Sequence, residues 1–248
     1  MSQFYTYQLA DNLRHHARLG MVVLQTDETI EHDLHRMLPP DHATIYATRV
    51  PSASEVTKET LAEMAKELPA VASLLPNSLT YQAVGYGCTS GTAVIGAQRI
   101  EELVKQGCQT DAVSNPLSAL IAACQHMGIK RLAFLSPYLE SVSDHLRARV
   151  HEADIATPLF GTFNEEQEAN VARITGDSII EAGVELGLQG DCDAVFLSCT
   201  NLRTLDVISE IESKVNKPVL SSNQVLAWHL AQLAGLNIKH QGFGRLWM

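Results

Sequence analysis

An apolar run that ends in Cys-Thr and hands over to helical spacing occurs twice in this chain of 248 residues. The first copy is Gly85-Tyr86-Gly87-Cys88-Thr89-Ser90-Gly91-Thr92. The second is Phe196-Leu197-Ser198-Cys199-Thr200-Asn201-Leu202-Arg203, and the two cysteines stand 111 positions apart. A further pair, Arg18-Leu19-Gly20-Met21-Val22-Val23-Leu24 and Arg131-Leu132-Ala133-Phe134-Leu135-Ser136, repeats at an offset of 113. Two matches at nearly one offset indicate an internal duplication. A duplicated strand–turn–helix unit restricts the chain to parallel strands joined by helical crossovers.

The remaining sequence alternates in the same way. Apolar runs predict strands at 19–24, 43–50, 81–86, 131–136, 157–163, 194–198 and 218–220. Helical spacing fills the gaps, as in Ile30, Leu34, Met37 and Leu38, and again in Val94, Ala97, Ile100 and Val104. Pro39-Pro40 stops one helix, Asn115-Pro116 starts another, and 165–188 reads as a single long one. Ser222 and Asn223 are placed to cap the last helix. The expected architecture is α/β, with two pseudo-symmetric lobes that each carry a parallel sheet flanked by helices. Residues 1–17 form an N-terminal arm, 18–115 the first lobe (completed by 218–248) and 116–217 the second. Ligands of open parallel sheets bind beyond the carboxyl ends of the strands, so both Cys turns are expected to face the cleft between lobes.

Composition narrows the setting. A formal charge of −10 argues against a nucleic-acid or anionic-membrane surface. No window approaches the ~20 apolar residues of a bilayer span, and the first 18 residues lack a signal-peptide core, so a cytoplasmic enzyme is expected. Five irregularly spaced cysteines fit free thiols in a reducing compartment rather than a disulfide framework. No metal site is expected, since the one His pair, His32 and His35, lies on a charged helix face.

A thiol at a helix N-terminus sees the positive end of the helix dipole, which favours the thiolate. Thr89, Ser90 and Gly91 on one side, and Ser198, Thr200 and Asn201 on the other, offer N–H and side-chain donors to a carboxylate. Two such turns facing each other present acid/base groups to opposite faces of one carbon or one double bond. That arrangement suits a small carboxylate or amino acid whose product differs from it only in stereochemistry.

These turns resemble those of the aspartate/glutamate racemase superfamily. Cys-Thr-Ser-Gly with Ser-Cys-Thr-Asn-Leu-Arg is most similar to its maleate cis–trans isomerase branch. The resemblance spans the chain after the N-terminal arm and implies two parallel-sheet lobes, no cofactor and catalysis by a cysteine pair. It implies Cys88 as the nucleophile that adds to the alkene carbon before the bond rotates, with Cys199 handling the proton. It places Tyr138 and Asn164 at substrate-binding positions. One stretch departs from the branch: Leu24-Gln25-Thr26-Asp27-Glu28-Thr29 puts Asp27 where the isomerases carry Asn. An ionised Asp27 repels a second substrate carboxylate and suits an ammonium group. Thr-Asp-Glu-Thr is also similar to superfamily members associated with ectoine breakdown.

Plainer readings stand beside these. Asp27 serves equally as a helix cap, Asn164 as a cap for the helix after it, and Tyr138 as a half-buried tyrosine. Cys108 and Cys124 read as structural, and Cys192 is a loop residue without an assigned role. The functional expectation is a cofactor-independent two-cysteine isomerase of a small carboxylic acid. The alternatives are an amino-acid racemase, with an ectoine-derived amino acid as one candidate substrate, an arylmalonate-type decarboxylase, and a non-catalytic small-acid binding protein. A homo-oligomer, dimer or tetramer, is expected.

Overall fold

The computed structural model describes residues 2–9, 16–53 and 57–248. The rest of the expected N-terminal arm, residues 1 and 10–15, lies outside the described residues. Residues 2–9 carry no helix or strand, and Phe4, Tyr5, Tyr7 and Leu9 are exposed.

Two four-stranded parallel sheets organise the chain. The first contains β1 (Ala17–Leu24), β2 (Ala43–Val50), β3 (Tyr81–Gly87) and β4 (Thr110–Ser114), in the order β2-β1-β3-β4. The second contains β5 (Arg131–Ser136), β6 (Ala156–Thr162), β7 (Ala194–Leu197) and β8 (Val219–Ser221), in the order β6-β5-β7-β8. The orders are the same once the second set is renumbered, as the duplicated segments require. Met21 to Val23 and Ala133 to Phe134 are fully buried in interior strands covered on both faces, which is why these runs are apolar throughout. Phe134 packs edge-on against Phe196 with ring centroids 5.2 Å apart, holding β5 to β7 at the heart of the second lobe.

The helices are α1 (Ile30–Met37), α2 (Lys58–Ala72), α3 (Thr89–Ile95), α4 (Ala97–Gly107), α5 (Pro116–Met127), α6 (Glu140–Glu152), α7 (Glu168–Val171), α8 (Gly176–Leu188), α9 (Ile208–Val215) and α10 (Ser222–Leu233). Four departures from the sequence reading bear on the site. The helix expected after Cys88 is two, because Gly96 adopts φ 92°, a conformation that a side chain disfavours, and breaks it between α3 and α4. The long helix expected at 165–188 is only α7 and α8, since residues 163–167 run without helix and Thr175 caps a new start. β4 was not anticipated: it is a short edge strand, partly exposed, and lacks an apolar run. Finally, β8 pairs with β7 and so belongs to the second sheet, not to the first lobe as expected. α10, which packs on α1, α5 and β3, returns toward the first lobe, as does the segment after it, where His240 Nε2 lies 2.7 Å from Met37 O.

Candidate active site

The carboxyl ends of β1, β3, β5 and β7 deliver Asp27, Cys88, Tyr138 and Cys199 to one place. Cys88, Thr89, Ser90, Tyr138, Cys199 and Thr200 line one tight pocket of about 10 Å³, together with Leu24, Leu61 and Glu168. Every one of these polar residues is at least nine-tenths buried. Asn164 is not among them. It is exposed at φ 56°, beyond the end of β6, and caps no helix.

The two cysteines occupy different local structures. Cys88 is the N-cap of α3, and its Sγ accepts the Gly91 N–H at 3.1 Å. Thr92 Oγ1 donates to the Cys88 carbonyl at 2.6 Å and ties the residue to the first turn. Cys199 does not start a helix, against expectation: residues 198–207 form a loop, and α9 begins only at Ile208. Its backbone sits at φ 105°, in the region that favours glycine. Three contacts hold that conformation. Cys199 N–H donates to Ser222 Oγ at 3.0 Å, Asn201 N–H reaches Cys199 Sγ at 3.3 Å, and Tyr138 Oη lies 2.9 Å from the same sulfur.

Glu168, absent from the sequence reading, is the central acid of the site. It opens α7, is 4% exposed, and accepts Tyr138 O–H at 2.6 Å and Asn201 Nδ2–H at 2.9 Å. Cys199, Tyr138 and Glu168 thus form a continuous chain from sulfur to carboxylate. No sequence signal marked Glu168, because it sits among other glutamates in a stretch that reads as a solvated helix face. Ser222 and Asn223 were expected as caps, but Ser221 is the cap of α10, in a capping box with Gln224. Ser222 Oγ instead accepts from Thr89 Oγ1 at 2.9 Å, linking the two turns, and Asn223 Nδ2 donates to Thr200 O at 2.8 Å and Asp33 Oδ2 at 2.9 Å.

Asn201 and Thr200 were expected to face substrate with their side chains. Both are committed to the protein. Asn201 Oδ1 accepts Glu28 N–H at 2.8 Å, its Nδ2 donates to Glu168, and Thr200 Oγ1 donates to Gly87 O at 3.3 Å. The bonds to Glu28 and Gly87 join the second lobe to the first. Asp27 meets the helix-cap expectation. Its Oδ1 caps α1 by accepting Thr29 and Ile30 N–H, each at 2.8 Å. Its Oδ2 is buried beside the Thr200 hydroxyl and makes no well-formed hydrogen bond among the described residues.

Burial dominates the electrostatics. It pushes the Cys88 thiol up to about 12, against the Gly91 N–H, and the charge on Glu168 adds to the rise. Cys199 is raised well above the ordinary thiol range by burial and then by Glu168. The carboxyls of Glu168 and Asp27 are raised too, each chiefly by burial. The expected activation of Cys88 by the helix end is therefore outweighed by burial. Desolvation of an ion exceeds what one N–H at the end of a two-turn helix returns. Among the described residues, no group of three or more His, Cys, Asp or Glu is arranged to hold a metal ion.

Two parallel-sheet lobes of matching strand order, closing on a pair of thiols, define the aspartate/glutamate racemase-like class, in the branch that contains the maleate isomerases. Residues 35–247 match the family model described as arylmalonate decarboxylase, and the chain belongs to that family. Arylmalonate decarboxylase from Bordetella bronchiseptica is 29% identical over 183 residues, covering 73% of this chain and 72% of that one. Maleate isomerase from Pseudomonas putida is 23% identical over 235 residues, with coverage of 90% and 92%. A Nocardia farcinica maleate cis–trans isomerase mutant with a covalently bound succinylcysteine intermediate superposes with a TM-score of 0.85 at 21% identity, covering 93% of this chain and 98% of that one. The structural likeness establishes the shared fold. None of the described helices is long and apolar enough to cross a membrane.

Proposed function

We propose that this protein is a two-thiol isomerase of a small carboxylic acid that carries a cationic nitrogen, and that it exchanges the α-proton between Cys88 and Cys199. The observations behind this reading are Glu168, which lines the pocket with both thiols, and Asp27, a buried carboxyl with an unsatisfied Oδ2 whose charge acts on Glu168 from behind that lining. A dicarboxylate adds negative charge to these four acids. At an effective dielectric of ~20, each like-charge pair ~4 Å apart costs about 4 kcal/mol. An ammonium group reverses the sign. It completes the coordination of Asp27, allows Glu168 to ionise, and lowers the barrier to forming a thiolate.

Proton movement then follows from the contacts. Cys199 gives its proton through Tyr138 Oη, whose own proton passes to Glu168, and the resulting thiolate removes the α-proton from one face. Cys88, a neutral thiol at rest, delivers a proton to the opposite face and becomes the thiolate. The reverse reaction exchanges these roles. Thr89 and Ser90 border the space left for the substrate carboxylate.

A second reading is cis–trans isomerisation of an alkene diacid, as in the maleate isomerase relatives. The closeness of Tyr138 to Cys199 favours it, since a phenol on the thiol suits protonation after addition and bond rotation. Proton NMR in deuterium oxide separates the two. Incubated with a panel of four- and five-carbon amino acids, ectoine-derived diamino acids, maleate and a phenylmalonate, a two-thiol racemase washes deuterium into the α-position of one amino acid. Fumarate formed from maleate with no α-exchange supports the second reading, and loss of carbon dioxide from the malonate overturns both. Cys88→Ser and Cys199→Ser are each expected to lower turnover by roughly 10²-fold or more. Full activity in both variants refutes the two-thiol mechanism.

A further inference from the structure

Tyr138 attends Cys199, and the first lobe places a second phenol beside the other thiol. Tyr86 lies on β3 two residues before Cys88 and is fully buried. Its hydroxyl donates to Met64 Sδ at 3.7 Å, a weak acceptor for a buried O–H. The same hydroxyl and the Cys88 sulfur both border Gly91. Gly91 makes that approach possible. A Cβ at position 91 would come within 2.7 Å of Tyr86 Oη and 2.8 Å of Cys88 Sγ. Gly91 is an interior residue of α3 and has no left-handed φ to explain it. Alanine is the better helix former there by roughly 1 kcal/mol, so space is what the glycine provides.

We infer that Tyr86 is the hydrogen-bond donor that stabilises the Cys88 thiolate, turning its O–H from Met64 Sδ to Cys88 Sγ when that sulfur becomes charged. A thioether is a poor partner and a thiolate a strong one, so the hydroxyl has a reason to rotate at the moment the charge appears. The phenolic proton stays on oxygen throughout. Burial holds Tyr86 well above the usual phenol range and keeps it a donor. No bond to carbon is made or broken by Tyr86; the proton that leaves Cys88 goes to substrate. Each thiol thereby has its own phenol, one from its own strand and one from the neighbouring strand's end.

The inference rests on Cys88 being a reacting thiol, which the serine variant tests separately. Alkylation by iodoacetamide needs no substrate and reads the thiolate directly. In the full-length protein, Tyr86→Phe is expected to slow alkylation of Cys88 at pH 9 by roughly 10-fold, with Cys199 changed less than about twofold, because a hydrogen bond to a charged group is lost. Turnover falls in kcat with KM nearly unchanged. Gly91→Ala, which inserts a methyl between hydroxyl and sulfur, is expected to act in the same direction and serves if Tyr86→Phe does not fold. A Cys88 alkylation rate within about twofold of the parent in a folded variant overturns the assignment, whether or not turnover falls.

Discussion

At the scale of single residues, Glu168 decides more than either cysteine. Its charge adds to the rise that burial gives both thiols, and its carboxylate accepts the O–H of Tyr138, which lies against Cys199 Sγ. Glu168→Gln keeps the size and removes both the charge and the proton acceptor. Turnover of a cationic amino acid is expected to fall by roughly 10²-fold, the range of one general base, while maleate becomes a stronger competitive inhibitor. Steady-state kinetics with maleate as inhibitor measures both changes, and weaker maleate binding by the variant contradicts the proposed charge preference. The places of Cys88 and Cys199 at strand ends were legible in the sequence because their motifs are local, whereas Tyr138 came from the family resemblance alone. Glu168 was not, since its burial comes from the lobe contact through Asn201, and nothing in its neighbours records that contact.

Among the elements, the two Cys turns show where reading by analogy stops. Both follow an interior strand, and that much the apolar runs announce. Cys88 then caps a helix, as its Thr-Ser-Gly-Thr continuation suggests, whereas Cys199 enters a loop of ten residues before α9. Thr204 and Leu205 are buried in that loop, so tertiary packing overrides the helical spacing there. The φ of 105° at Cys199 predicts a stability signature. Cys199→Gly should unfold at higher denaturant concentration than Cys199→Ala by about 1 kcal/mol, because only glycine relaxes in that conformation. Equal stability of the two variants argues against strain at this residue.

For the molecule as a whole, the duplicated pattern announced two parallel-sheet lobes, though neither their strand order nor β4. It misplaced β8, because three residues cannot declare which sheet they join. Stability should also carry the mark of the site's buried acids. Asp33, on α1 beneath Asn223, is pushed up to about 6 by burial, despite the Asn223 hydrogen bond and the nearby Arg36 and His32. A carboxyl raised from an unfolded value of 3.8 binds more protons in the folded state, so it withdraws stability as pH rises through the window from 3.8 to about 6. Asp33→Asn, whose carbonyl still accepts from Asn223, should melt above the parent at pH 8, with the difference shrinking toward pH 4. A constant difference across that range removes Asp33 as its cause.

The unequal surroundings of the two thiols have a kinetic consequence. One is a helix cap beside Tyr86, and the other a loop residue wired to Tyr138 and Glu168. In a racemase the two directions of reaction begin from different bases, yet enantiomers in water have the same free energy. Thermodynamics therefore requires kcat/KM to be equal for the two hands, whatever the protein does. In such a racemase any asymmetry of the halves is confined to how each direction divides that ratio between kcat and KM, so an enantiomer with the lower KM must also have the lower kcat.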